Sequence, residues 1–488
     1  MSENIVLVTG ATGYIGGRLI PRLLEAGYRV RAMVRRDPDR LKNQPWTDAI
    51  EIVVADALEP STLPPAFAGV HAAYYMVHSM RAGSAFEARD LHAAHNFAQA
   101  AEAAQLARII YLGGLGDARQ ELSEHLQSRH ATGDALREHA TPVTEFRAAV
   151  VVGSGSISFE MVRHLSERLP IMIHPKWADT RIQPIGIRDL LAYLVEALAV
   201  PASAGQIIEI GGADVTTYGD MMRRYAANRG LRRWIIRVPL LTPRLSSYWV
   251  HWTTPIPAAF ARPLIEGARN ETVVHSDLAQ RLFPTIQPMD YDTAVHAALL
   301  RIEQGRIETI WNDAAASSLG DTPPYTFTQE QGMFIERREM TVAASPTAVF
   351  RAFTGLGGER GWPPFQWLWR IRGLLDRAVG GVGLRRGRRH PDMLWVGDAV
   401  DFWRVEAIEP DRLLRLRAEM KVPGKAWLQF ETQTQAGQTH LMQTAFFAPK
   451  GLFGYLYWYA VFPLHGPIFA RLIAHVAAVA QAEARQEH

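Results

Sequence analysis

Short apolar runs recur along the first 150 positions, and longer stretches with helical spacing separate them. The first run, Ile5-Val-Leu-Val8, leads through a glycine-rich turn into Arg18-Leu-Ile-Pro-Arg-Leu-Leu24, an amphipathic stretch. Further strand-like runs fall at 28–34, 50–54, 70–77, 108–112 and 142–147, with helical patterns at 86–104 and 125–139. Alternating strand and helix units predict an α/β, Rossmann-type, doubly wound parallel sheet with ligand at the carboxyl ends of its strands. Farther on, 218–228 and 291–303 read as helices. The aromatic stretch Tyr248-Trp-Val-His-Trp252 reads as the core of a small lobe, or as the wall of a hydrophobic-substrate site.

Beyond residue 310 the pattern changes. Residues 311–332 are small, polar and proline-bearing, which predicts a linker. A strand follows at 334–342, and Ser345-Pro346 supplies a helix N-cap with proline at the first helical position. Strands are then expected at 393–396, 399–407, 413–420, 426–434 and 440–448, separated by turn pairs such as Gly397-Asp398 and Pro423-Gly424. A helix over 468–485 closes the chain. The reading is a second, α+β domain at 333–488, an antiparallel sheet gripping its last helix. Residues 452–470 carry no charge, and their length approaches a membrane span. Because Pro463, Gly466 and Pro467 interrupt that stretch, it reads as a buried hinge leading into the helix. Contact with a membrane surface is the alternative.

Composition adds bounds. A chain of 488 residues exceeds one ordinary core, in line with two domains at 1–310 and 333–488. With 48% hydrophobic and 21% charged residues and a net charge of +3, it reads as a globular protein without the concentrated basic face that nucleic acid requires. The absence of cysteine excludes disulfides, thiolate catalysis and zinc–cysteine sites, and no metal site is expected. The opening Met1-Ser-Glu-Asn runs straight into a strand, so no signal peptide and a cytoplasmic location are expected. Nothing in the composition sets an oligomeric state.

The candidate chemistry begins at Thr9-Gly10-Ala-Thr12-Gly13-Tyr14-Ile15-Gly16, placed between a strand and a helix. Glycines there permit the turn and let backbone N–H groups approach a pyrophosphate at the helix N-terminus. Val77 and His78, at the end of the fourth strand, border the same crevice. After the second strand an NAD site would place an acid, whereas this chain has Arg35 and Arg36, a pair suited to the 2′-phosphate of NADP. The expected cofactor is therefore NADP(H) in preference to NAD(H). Asp56 follows the third strand, placed either to meet the adenine edge or as an ordinary loop aspartate.

These residues resemble the atypical, NmrA-like branch of the extended short-chain dehydrogenase/reductase superfamily, which includes the accessory subunit of respiratory complex I. The resemblance spans residues 1–310 and is anchored on Gly10, Gly13, Gly16, Asn96 and Tyr111-Leu-Gly-Gly. It implies a serine after the fifth strand and a Tyr-x-x-x-Lys on the next helix. Here Gly113-Gly114 and His125-x-x-x-Arg129 occupy those places. No lysine follows a tyrosine by four positions anywhere in the chain. Arg129 can bind the nicotinamide ribose but cannot exchange a proton. His125 can, near neutral pH, or it is a helix-surface histidine.

The order of elements beyond 333 is similar to the START and birch-pollen-allergen superfamily, in which a curved sheet grips the last helix over a cavity. The pairing of the two domains resembles a bacterial family whose second domain has no assigned function, through Gly361-Trp-Pro-Pro, residues 385–391 and Asp401-Phe-Trp-Arg404. Seven of thirteen tryptophans lie in this third, at 362, 367, 369, 395, 403, 427 and 458, as core or as pocket lining. Arg385, Arg386, Arg388 and Arg389 read as a solvated loop, or as a clamp for an anionic head. Two functions follow. One is an NADPH-dependent oxidoreductase without the usual Ser-Tyr-Lys set, acting on a hydrophobic small molecule that the second domain holds. The other is a non-catalytic NADP(H) sensor or assembly protein whose second domain binds lipid or a partner.

Overall fold

The computed structural model describes residues 4–35, 41, 46–77, 84–117, 119–238, 250, 258–303, 325–330, 332–358, 360–363, 365–378, 394–435 and 437–486. Two compact units divide the chain, Met1–Ser318 and Leu319–His488. Arg36, His78, the 248–249 and 251–252 portions of the aromatic stretch and the 385–389 arginines lie outside the described residues.

Seven strands build the first unit's main sheet: β1 (Ile5–Val8), β2 (Arg29–Val34), β3 (Glu51–Val54), β4 (Val70–Tyr75), β5 (Arg108–Gly114), β6 (Val143–Ala148) and β7 (Ile207–Ile210). Their order is β7-β6-β5-β4-β1-β2-β3, and every neighbouring pair is parallel. All four residues of β1 are buried, because helices cover both faces. Val6 and Val8 enter the core beneath α1 (Gly16–Glu25), while Ile5 and Leu7 enter the opposite core with Phe97 of α2 (Ser84–Ala103). The strand order reverses between β1 and β4, which opens a crevice at their carboxyl ends. A smaller lobe gathers α4 (Ile157–Arg168), Tyr218–Asn228 and Tyr291–Glu303 around Phe159, Tyr225 and Val295. The last two helices have the bounds their periodicity predicts.

The second unit is a seven-stranded antiparallel sheet: β8 (Tyr325–Glu330), β9 (Met333–Val342), β10 (Ala399–Val400), β11 (Trp403–Glu409), β12 (Leu413–Ala418), β13 (Gly424–Gln435) and β14 (Gln438–Pro449). Its order is β8-β9-β14-β13-β12-β11-β10. The long helix Gly451–Gln486 packs on β9 and β14.

Four expectations need correction here. Tyr325–Glu330, assigned to the linker, is a sheet strand, since its Tyr-Thr-Phe-Thr pattern suits a strand despite the prolines just before it. The strand expected over 399–407 is a hairpin instead. Asp401 takes φ +55°, and its carboxylate accepts hydrogen bonds from the Gly358 N–H (3.0 Å) and the Trp362 indole (2.8 Å), so a tertiary anchor bends the chain. Trp395 and Val396 lie in the turn before that hairpin rather than in a strand. Finally, the closing helix starts at Gly451 and runs through Pro463 and Pro467. Both prolines sit on its exposed side, where water can satisfy the carbonyls they leave free, and the stretch is only half a core element.

The tryptophans of this unit divide between core and surface. Trp362, Trp403, Trp427 and Trp458 are buried, and Trp458 stacks between Phe334 and Phe447 at 5.0 and 5.3 Å. Trp367 and Trp395 are exposed.

Candidate cofactor and active site

The loop after β1 is held to β4 by one side chain. Buried Thr9 donates through Oγ1 to the Tyr74 carbonyl (3.0 Å) and accepts from the Met76 N–H (2.8 Å). That staple fixes the two strand ends that flank the crevice. Gly10 then turns with φ +63°, where a Cβ would lie 2.7 Å from the Met76 carbonyl oxygen. Gly16 allows α1 to begin against the loop itself, since a Cβ there would meet the Gly10 oxygen at 2.3 Å. No side chain caps α1, and its first turn contains no acid. The Gly17 and Arg18 N–H groups are taken by the Gly13 and Ile15 carbonyls (3.0 and 3.1 Å), so what the helix offers an anion is chiefly the partial positive charge of its N-terminus. Thr12, Gly13, Tyr14 and Ile15 complete this concave backbone and are each partly exposed.

Arg18 is a residue that sequence reasoning passed over. Although charged, it is 2% exposed; its Nη2 donates to the Ser154 carbonyl (2.9 Å), and its guanidinium lies 4.6 Å from the Tyr14 ring centre. The glycine loop is thereby tied to the segment after β6, where Gly153 leaves room for the Tyr14 hydroxyl. A cation two places after the last fingerprint glycine, on the apolar side of α1, was the available signal.

The other predicted cofactor residues divide. In the parallel pairing of β1 with β2, Val8 lies level with Ala32, so exposed Arg35 follows β2 at about the height of the glycine loop. Val77 follows β4 beside that loop and is half-buried. Asp56 spends one carboxylate oxygen on the Leu58 N–H (3.0 Å), and its backbone is held by Thr62 Oγ1, so it shapes its own loop. Asn96 likewise serves structure, donating to the Ala57 carbonyl at 2.9 Å.

Across the crevice, α3 (Glu124–Arg137) carries His125 and Arg129 one turn apart. Ser123 caps this helix through the Leu126 N–H. Arg129 lies over the end of β5, donating from Nη2 to the Leu112 carbonyl, with its guanidinium 5.3 Å from the Tyr111 ring centre. The Tyr111 hydroxyl donates in turn to the Arg129 carbonyl at 3.0 Å, and burial pushes that phenol up from its usual pKa. The side chains of His125 and Arg129 are partly exposed.

The two glycines lie against side-chain tips from α3 and β6. A Cβ on Gly114 would come 2.8 Å from Leu126 Cδ2, and one on Gly113 would come 2.9 Å from Glu145 Oε1. Glu145 is fully buried, bound to Arg137 through Oε2 and to the Arg147 Nε through Oε1 (2.7 Å). His130, also on α3, faces the Gly114 carbonyl from Nε2 at 3.0 Å. A carbonyl only accepts, so Nε2 carries the proton. Burial and then the Arg147 charge hold this imidazole below its usual pKa, and it is a neutral donor to the strand end. Neither Glu145 nor His130 was singled out in the sequence, because long-range pairing from β6 to α3 leaves no local mark.

Residues 10–150 match a family described as NAD(P)H-binding, and residues 330–472 match one described as a protein of unknown function (DUF2867). Over 244 residues, 49% of this chain, the sequence is 28% identical to the ceramide reductase of Caulobacter vibrioides, covering 74% of that protein. It is also 28% identical to the chloroplastic divinyl chlorophyllide a 8-vinyl-reductase of Zea mays over 224 residues, 43% of this chain and 55% of the relative. Among solved structures, the triphenylmethane reductase of Citrobacter sp. shares the fold, with a TM-score of 0.50 and 19% identity over 60% of this chain and 99% of that one. The glycine cradle fits a dinucleotide, and these matches agree with it. The first domain is an NAD(P)H-binding domain, similar in sequence to known reductases.

Proposed function

We propose that the protein is an NADPH-dependent reductase of a hydrophobic carbonyl compound. The observation that carries this reading is the crevice itself: a glycine loop with an uncapped helix N-terminus faces α3 across the carboxyl ends of β1, β4 and β5. A bound nicotinamide cofactor supplies hydride. The backbone of residues 10–16 would hold its pyrophosphate, Arg35 its 2′-phosphate, and Arg129 its nicotinamide-side ribose. With no serine after β5 and no tyrosine on α3, His125 is the nearby group on α3 able to deliver a proton to a carbonyl oxygen at neutral pH. A relative named for reducing ceramide supports a lipid-like substrate.

The second domain would hold an apolar ligand with a polar end. Buried Glu336 accepts from the Arg338 Nη2 (2.7 Å) and lies 3.4 Å from the His465 Nδ1 on the long helix. The buried Oε1 of Gln443, on the strand beside it, has no hydrogen-bond partner among the described residues. Glycine at 113 and 114 favours the rival reading, a nucleotide sensor, because it supplies no side-chain donor for a carbonyl there. Following NADPH oxidation against long-chain ketones and ceramide-type lipids separates the two. Turnover that falls about a hundred-fold in His125→Ala, with NADPH affinity kept, supports the reductase; tight NADPH binding without turnover on any of these substrates assigns the sensor.

A further inference from the structure

The outward side of the long C-terminal helix is apolar where a water-facing helix would carry charge. Between residues 451 and 470 its exposed positions include Phe453, Leu456, Tyr459, Pro463 and Pro467, three or four apart and therefore on one face, with Leu464 beside them. Phe453 alone is 77% exposed. Charge returns to the exposed side with Arg471 and Arg485. The contrast lies within a single helix, so it marks a face rather than a general composition.

A second helix repeats the pattern. Gln366–Ala378 exposes Trp367, Ile371, Leu374 and Leu375, spaced i, i+4, i+7, i+8. Arg372 sits over the Tyr457 ring at 5.8 Å, and Phe365, just before this helix, lies 5.0 Å from the Arg471 guanidinium. Side-chain contacts thus join the two segments at two points, 372 to 457 and 365 to 471. The shorter one carries three arginines in sequence and a single acid, Asp376, which is fully buried and accepts the Lys421 N–H at 2.7 Å.

We infer that this face docks the protein on the surface of an anionic lipid bilayer. Trp, Leu and Ile on one side of a cationic helix are the composition of an interfacial helix. Exposed Arg471 ends the apolar stretch, where an anionic headgroup complements it. By length and composition the long helix could cross a membrane. Its inner side, however, is spoken for: Tyr455 and Trp458 are buried on Phe334 and Phe447 of the sheet. Residues 453–467 extend about 22 Å at helical rise, short of the hydrocarbon thickness. Lying on the surface satisfies both the packed side and the apolar side.

Vesicle flotation of the full chain tests this without any enzymatic readout, so its outcome is independent of the proposed reductase activity. The protein should float with vesicles of phosphatidylcholine containing 30% phosphatidylglycerol, at least five-fold more than with phosphatidylcholine alone at low salt. Phe453→Glu with Leu456→Glu, or Leu374→Glu with Leu375→Glu, should reduce flotation ten-fold or more while leaving NADPH affinity and the melting profile unchanged; these exposed sites carry no core packing. Failure of the unsubstituted protein to float with either vesicle overturns the inference. So does a stable dimer in solution that the same substitutions dissociate, which would assign the face to a second copy.

Discussion

At the scale of single residues, the glycines that replace a serine sit against the tips of Glu145 and Leu126. Restoring the serine at Gly114 should not restore a donor. Its Cβ displaces the Leu126 side-chain tip, an overpacking at the low end of roughly 1–3 kcal/mol, readable as a slightly lower midpoint in urea without gain in turnover. Arg35 tests the cofactor choice. A charge-assisted hydrogen bond contributes ~1.5–3 kcal/mol, so NADPH should bind about ten-fold or more tightly than NADH, and Arg35→Ala should remove most of that difference in a titration. Equal affinities in the unsubstituted protein would take Arg35 out of the site. Two buried histidines make a pH prediction. His130 and His164 are held below the usual imidazole pKa, His164 by burial first and then by the Arg163 and Arg168 charges. Each is neutral when folded but takes up a proton in the unfolded chain below about pH 6.5. The stability they allow is complete above that pH and falls as pH drops toward their lower folded values, by roughly 1 kcal/mol per pH unit for each. His130→Gln should flatten the slope between pH 6.5 and 5 in denaturant titrations.

The elements show which parts of a fold are written locally. Parallel strands covered on both faces appear as continuous apolar runs, and the glycine turn has a local backbone cause, so the first sheet and its cradle were legible. The β10–β11 hairpin was not. Its sequence reads as one strand, and the bend comes from Asp401 reaching Gly358 and Trp362 some forty positions earlier. The long helix was misread for the opposite reason, since a local rule, proline as a breaker, yielded to the packing of the helix on its sheet. The Arg137–Glu145–Arg147 cluster shows the same limit at the candidate site: two guanidiniums, one from α3 and one from β6, close on one buried carboxylate. Removing that carboxylate strands two partly buried guanidiniums. Glu145→Ala should lower stability by about 3 kcal/mol and loosen the seat of α3, seen as faster amide exchange over β5 and α3.

At the scale of the molecule, each unit has a core of its own, so heating should give two transitions by calorimetry. NADPH at a hundred times its dissociation constant should raise the stability of the first unit by about 2.7 kcal/mol and leave the other transition in place. A single transition shifted as a whole would mean that the two units fold together. The chain has five lysines, and none lies from 43 to 175, the stretch that holds β4, β5 and α3. Arg129, lying on the Leu112 carbonyl, therefore has a consequence for chemical modification. Where the resembling enzymes present an amine, this crevice offers a guanidinium, which acetyl transfer and Schiff-base formation do not touch. Reagents that acylate amines should leave NADPH binding intact, whereas phenylglyoxal should abolish it, with bound NADPH giving protection. An acetyl donor that reacts with amines would find no target at this corner.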